Sequence, residues 1–240
     1  MYWMNRETLI AYSFYFGGEY GKIFKAVKEK MPIPPLNMEG AVTILDEAYP
    51  KCFLDLKYPP LVFYYCGDLE LLKKDKIAIV GSRNPCNYAL EATKALARSH
   101  PNEAIVSGLA KGIDASAHEN ALQTIGILGC GVDYIYPYCN KKLIQNVKTH
   151  GLVISEYPGM TKPYGYHFPF RNRLIVALSK RVYIMQSAQR SGTMTTVNEA
   201  LELGREIRVL PYDIFCKEGI HNNVLISEGA MPILNEEIAI

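Results

Sequence analysis

Ile77-Ala-Ile-Val80 runs directly into Gly81-Ser-Arg-Asn-Pro85, and further on Ala104-Ile-Val106 runs into Ser107-Gly-Leu-Ala-Lys-Gly-Ile-Asp114. Each run is apolar on successive residues rather than alternating, which suits a parallel strand covered on both faces. Between them Ala89, Ala92 and Leu96 recur at the helical period. The unit repeats outward. Strand-like runs are predicted at 42–45, 61–65, 77–80, 104–106, 125–128, 152–155, 182–185, 207–210 and 232–234. A second helix is predicted through Met194, Val197 and Leu201, stopped by Gly204. Repeated β-α-β units of this kind predict an α/β fold with a doubly wound, mostly parallel, Rossmann-like sheet. A closed eight-fold barrel fits less well, because the first two runs precede the regular alternation.

In an open parallel sheet, ligands bind beyond the carboxyl ends of the strands, beside helix N-termini. The loops there share one oddity. Arg83, Lys111, Lys141 with Lys142, Arg171 with Arg173, and Arg190 each place a cation near a helix start. The helix dipole disfavours a cation at that end by roughly 0.3–1 kcal/mol. Five loops that do so predict an external anion. The amides of Gly81, Gly108 and Gly192 and the hydroxyls of Ser82, Ser107, Ser191 and Thr193 would complete phosphate sites. The competing structural explanation is that each cation pairs with a carboxylate inside the fold. If the five loops stand on adjacent strands at ~4.8 Å spacing, they span ~19 Å. At about 3.4 Å per phosphate that length suits a polymer better than a mononucleotide. Aromatic side chains lie among the same loops. Tyr164 and Tyr166 are the better candidates for base stacking, whereas Phe168 and Phe170 read as packing.

Other chemistry is poorly supported. Gly-x-Gly-x-x-Gly does not follow Gly81, and the strand after it ends Val106-Ser-Gly108 without the acid that would hold a ribose, so no nicotinamide cofactor is expected. Lys111 lies too close to Gly108 for a Walker loop. Asp114 and His118 share a helix face but lack a third metal ligand; Asp114 reads as a helix N-cap, and Ser116 with Glu119 as an alternative capping box. Ser107 lacks a nucleophile-elbow setting.

The chain of 240 residues is 49% apolar and 21% charged, which excludes a disordered or coiled-coil chain. No apolar run approaches the roughly 18 residues of a membrane span, and the first residues lack signal-peptide features. The six cysteines form no Cys-x-x-Cys pair and read as reduced thiols of a cytoplasmic protein. Net charge is +2, but the stretch from Tyr157 to Asn198 carries no acid and six basic residues, leaving −4 for the rest. That segregation is a footprint of a polyanion partner. Residues 1–40 are aromatic-rich, with Gly17-Gly18 between two helix-like stretches and Met31-Pro-Ile-Pro-Pro35 after them. They read as a short helical segment and linker ahead of one large domain, 41–240.

Taken in order, Ala78-Ile-Val-Gly-Ser-Arg83, Ile105-Val-Ser-Gly-Leu-Ala-Lys-Gly-Ile-Asp114, Ala117-His118, Ile154-Ser-Glu-Tyr157, Phe168-Pro-Phe-Arg-Asn-Arg173 and Arg190-Ser-Gly192 resemble the DNA processing protein A (DprA/Smf) family. Tyr49-Pro50, Tyr58-Pro-Pro-Leu61, Cys66-Gly-Asp68 and Asn223-Val-Leu-Ile-Ser-Glu-Gly-Ala230 agree with it. The resemblance runs from about residue 41 to 234. It implies an extended Rossmann-like domain that binds single-stranded DNA, protects incoming DNA in natural transformation and helps load the RecA recombinase. It further implies a homodimer that is not an enzyme. By matching motif it assigns DNA contact to Gly81, Ser82, Arg83, Ser107, Gly108, Lys111, Gly112, Arg171, Asn172, Arg173, Arg190, Ser191 and Gly192, with Lys141 and Lys142 in a basic segment of the family. Many members add a C-terminal winged-helix-like domain. The sequence to Ile240 carries no such segment, so a form lacking it is expected. Val224, Leu225, Ile226, Ala230 and Ile233 are read either as a dimer face or as core.

Two rivals remain. Nucleotide 5′-monophosphate phosphoribohydrolases share the scaffold and carry Pro-Gly-Gly-x-Gly-Thr-x-x-Glu with a catalytic Glu. The corresponding position here is Thr196, and the first carboxylate after it is Glu199. The third class is a nucleotide-sensing module.

Overall fold

The structure is a computed structural model, and it describes residues 4–188 and 191–238. Two short helices open the chain, α1 (Arg6–Tyr15) and α2 (Tyr20–Glu29). Strands β1 (Ala41–Thr43) and β2 (Val62–Gly67) follow. The alternating part is β3 (Lys76–Val80), α3 (Asn87–Arg98), β4 (Ala104–Ser107), α4 (Ile113–Asn120), β5 (Thr124–Leu128), α5 (Lys141–His150), β6 (Leu152–Ser155), α6 (His167–Leu178), β7 (Arg181–Ile184), α7 (Gly192–Glu202), β8 (Glu206–Val209), α8 (Ile220–Ser227) and β9 (Met231–Pro232). Each of the nine predicted runs overlaps a strand, the last at Pro232 alone.

One sheet takes all nine in the order β1-β2-β6-β5-β4-β3-β7-β8-β9. Pairing is parallel from β6 to β9, and only β1–β2 and β2–β6 are antiparallel. The chain winds outward from β3 to β6, then returns across the sheet through α6 to β7 on the other side of β3. That reversal makes β3 the topological switch point, beside which an open α/β sheet leaves a crevice. The strands whose loops carry the cations, β6-β5-β4-β3-β7, are contiguous. The strands are adjacent as expected, but among the described residues only the loops after β3, β4 and β5 carry predicted site cations outside the core, a span of ~10 Å rather than ~19 Å.

Successive strand residues face opposite sides. Ile77, Ile79 and Ile105 pack on Ala89, Leu96 and Ala117 of α3 and α4. Ala78, Val80, Val106 and Ile127 pack on α6, where Leu174 to Leu178 is apolar at every position and buried all round. In α7 the buried face runs through Thr193, Thr196, Val197 and Ala200, while Leu201 is exposed, so the predicted Met194-Val197-Leu201 stripe is offset from the true core face. Gly204 terminates α7 with φ +60°: the Arg205 amide donates to Ala200 and the Gly204 amide to Leu201, a Schellman closure. One cluster joins Leu9 and Ile10 of α1 to Ala41, Val62, Tyr64 and Val132, and Arg6 donates to the carbonyl of Ala41. The first forty residues thus share core with the sheet edge.

Candidate functional site

Beyond the carboxyl ends of β3, β4 and β7 lies an open cleft of about 630 Å³ lined by Gly81, Ser82, Arg83, Asn172, Ser191, Gly192 and Thr193, with a smaller one of about 290 Å³ beside it that reaches Gly108 and Lys111. The loops are held by short, specific contacts. Ser107 Oγ donates to the carbonyl of Ile79 (2.6 Å), tying β4 to β3. Gly112 has φ +75°, and a Cβ there would collide with the carbonyl of Ser82, so only glycine lets the two loops approach. The Ile113 amide then donates to that carbonyl (3.1 Å). Asn140 Nδ2 donates to the carbonyls of both Leu109 (3.1 Å) and Ala110 (3.0 Å), clamping the Lys111 loop to the start of α5. Asn172 Nδ2 donates to the carbonyl of Gly192 (3.2 Å).

The cations divide into two groups. Arg83, Lys111 and Lys142 are exposed and Lys141 is half-buried. Among the described residues no carboxylate pairs with any of the four. Arg83 lies over the ring of Phe168 (5.6 Å) and Lys141 over Tyr138 (5.7 Å). Arg171 and Arg173 are different, and here the expectation of rim cations needs correction. Both lie within α6 rather than in the loop before it, and both are buried. Arg171 donates to the carbonyl of Ile127 and sits against Gly108. Burial pulls its pKa down to about 10, and the neighbouring Asp114 carboxylate opposes that fall. It lines the clefts from behind. Arg173 is neutralised inside the fold: its Nη2 donates to Glu156 Oε1 (2.5 Å) and its guanidinium covers Phe170 (4.0 Å). The internal acid that the sequence reading weighed as a competing explanation is Glu156. Arg190 lies outside the described residues.

Asp114 is not the N-cap of α4, a place taken by Gly112. Its carboxylate turns back and accepts from the amides of Gly108 (3.1 Å) and Ala110 (3.4 Å). Those two amides are therefore spent internally, and the cationic side chain of Lys111 is what this loop offers. Burial raises the Asp114 pKa, with Arg171 opposing. Ser116 Oγ has no partner, so the alternative capping box does not form. His118 Nδ1 bonds Thr124 Oγ1 (2.5 Å) at the back of the same loop.

Phe168, read from the sequence as packing, lines both clefts between Arg83 and Tyr136, its ring 5.4 Å from the Tyr136 ring. Sequence reasoning missed Asn140 and Asn222. Asn222, from α8, accepts the Ser187 amide (2.8 Å) and donates to the carbonyls of Ile184, Met185 and Leu210, fixing the loop after β7. No local pattern marks either asparagine. Among the described residues no group of three potential metal ligands converges, and no helix is long and apolar enough to cross a membrane.

The model of the DNA recombination-mediator protein A family matches residues 40–240. DNA processing protein DprA of Streptococcus pneumoniae is 40% identical over 195 residues, covering 78% of this chain and 68% of that protein. The X-ray structure of DNA processing protein A from the same species superposes with a TM-score of 0.78 at 34% identity, over 89% of this chain and 77% of that one. The structure of DNA processing protein A from Helicobacter pylori, described for its single-stranded DNA binding mode, gives a TM-score of 0.75 at 39% identity, over 81% of this chain and 91% of that one.

Proposed function

The chain belongs to the DNA recombination-mediator protein A (DprA/Smf) family, and from that premise we propose that it binds single-stranded DNA across the carboxyl rim of its sheet. In this reading it protects incoming strands in natural transformation, presents them to the RecA recombinase and works as a homodimer in the cytoplasm. One observation carries the binding: Arg83, Lys111, Lys141 and Lys142 stand on neighbouring loops with no carboxylate partner among the described residues. Exposed cations brought together at the disfavoured end of helices are stabilised when a polyanion lies across them. The Gly81-Ser82 and Ser191-Gly192-Thr193 turns of the cleft supply further phosphate donors. Ile214, Phe215, Ile220 and Val224, exposed on α8 and the loop before it, support a dimer face, whereas Leu225 and Ile233 belong to the core.

The phosphoribohydrolase reading is weakened by geometry. Thr196 faces the main cleft where that enzyme family places its glutamate, while Glu199 lines a separate cleft with Tyr58 and Arg173. The main cleft does have the size of a small-molecule site, which keeps a nucleotide sensor as the second reading. Gel shifts of single- and double-stranded oligomers over a range of lengths and salt separate them. Affinity that grows with strand length supports the polymer; equal affinity for a mononucleotide overturns it.

A further inference from the structure

Cations that follow a phosphate backbone give no preference for a single strand, because a duplex presents phosphates at about twice the axial density. Selectivity for a single strand requires a surface that contacts bases. Tyr164 and Tyr166 form one. They are 51% and 62% exposed, and their rings lie nearly parallel (14°) with centroids 5.9 Å apart. Both stand edge-on against His167, at 5.2 and 4.6 Å. His167 is buried, stacks on the buried ring of Tyr157 (3.8 Å, 15°), and its Nδ1–H donates to the carbonyl of Gly129 (3.1 Å). The exposed rings are thus braced by a fixed layer. Gly165 between them lines the main cleft, with nothing within 4 Å of where its Cβ would be. Lys162, just before the pair, is exposed and has no carboxylate partner among the described residues.

The geometry points to Tyr164 and Tyr166 as a base-stacking platform, continuous with the cationic rim, that makes the interface selective for single-stranded over duplex DNA. This rests on the DNA-binding reading above. Bases of a single strand are free to stack on an exposed ring; those of a duplex are already stacked and paired. The platform has π-faces and offers the tyrosine hydroxyls only at its edge, so it tolerates any base.

The test compares wild type with Tyr164→Ala/Tyr166→Ala and Tyr164→Phe/Tyr166→Phe on three probes of one length: a dT oligomer, an abasic single strand and a duplex. Circular dichroism melts verify folding, which exposed rings leave unchanged. Wild type is expected to prefer the dT oligomer to the abasic strand. The alanine pair should lose roughly five- to a hundred-fold on dT, with little change on the abasic strand and the duplex, and the phenylalanine pair should restore binding. Equal loss on all three probes, or no loss on dT, overturns the platform and leaves the rim standing. If wild type shows no salt-dependent binding to any probe, the DNA reading itself fails and the platform with it.

Discussion

The guanidinium of Arg171 occupies the space that a Cβ at Gly108 would need, so the loop after β4 rests directly on a charge carried by α6. The Gly108 amide donates on to Asp114, and Asp114 and Arg171 together form a buried charged floor beneath the cationic rim.

That floor predicts stability effects rather than simple binding effects. Gly108→Ala should cost about 1–3 kcal/mol through overpacking. Arg171→Ala removes the donor to the Ile127 carbonyl and the charge that opposes the burial of Asp114, and should cost about 1–3 kcal/mol. Urea denaturation measures both. A fully stable Arg171→Ala protein would show that the guanidinium supports nothing.

The rim cations should behave in the opposite way. Log affinity for a single strand should fall against log salt with a slope near −0.7 per neutralised phosphate, so four cations give about −3. Arg83→Ala or Lys111→Ala should each lower the magnitude of the slope by about 0.7 with melting unchanged. Arg173→Ala is the control: its charge is consumed by Glu156, so it should reduce stability and leave the slope of the folded protein alone. A slope unaffected by Arg83→Ala and Lys111→Ala refutes the assignment.

Acid should destabilise the fold through His118. Burial, aided by Arg171, pulls its pKa from 6.5 down to about 3. Between those values the unfolded chain binds a proton that the folded chain refuses. The His118 contribution is therefore fully present above pH 6.5 and is lost as pH falls toward 3, by up to about 1.4 kcal/mol per pH unit. Asp114, with its pKa raised by burial, contributes in the other direction. Comparing wild type with His118→Asn isolates the histidine: urea melts from pH 7.5 to 4 should show the shallower pH dependence in the variant. Identical curves would remove His118 from the account.

Asn140 should couple two parts of the rim, because its amide holds the loop bearing Lys111 while its backbone leads into Lys141 and Lys142. Asn140→Ala should weaken single-strand binding in the wild-type background and much less in a Lys111→Ala background, a non-additivity measured by a double-mutant cycle. Strict additivity would mean that the clamp does not position Lys111.

How far the sequence carried the reading follows from which signals are local. Ile77 to Val80 and several of the other runs announced strands through consecutive apolar residues, and the loops at Gly81, Ser107 and Ser191 marked the candidate edge by glycine, hydroxyl and cation content. Leu174–Leu178 is buried on every side of its helix, and Arg171 and Arg173 one turn earlier are drawn inward with it, against the expectation of rim cations. Strand order, the antiparallel placement of β1 and β2, and the fate of each arginine depend on partners distant along the chain. Arg173 meets Glu156 across the turn into α6, Arg171 meets Ile127 and Gly108 from other β-α units, and Asn222 reaches back to Ser187. Periodicity and turn chemistry record how a segment satisfies its own backbone and which face it buries. Whether a charge ends in solvent or against an internal acid is decided only when α6 crosses the sheet and closes the low-dielectric layer beneath the rim.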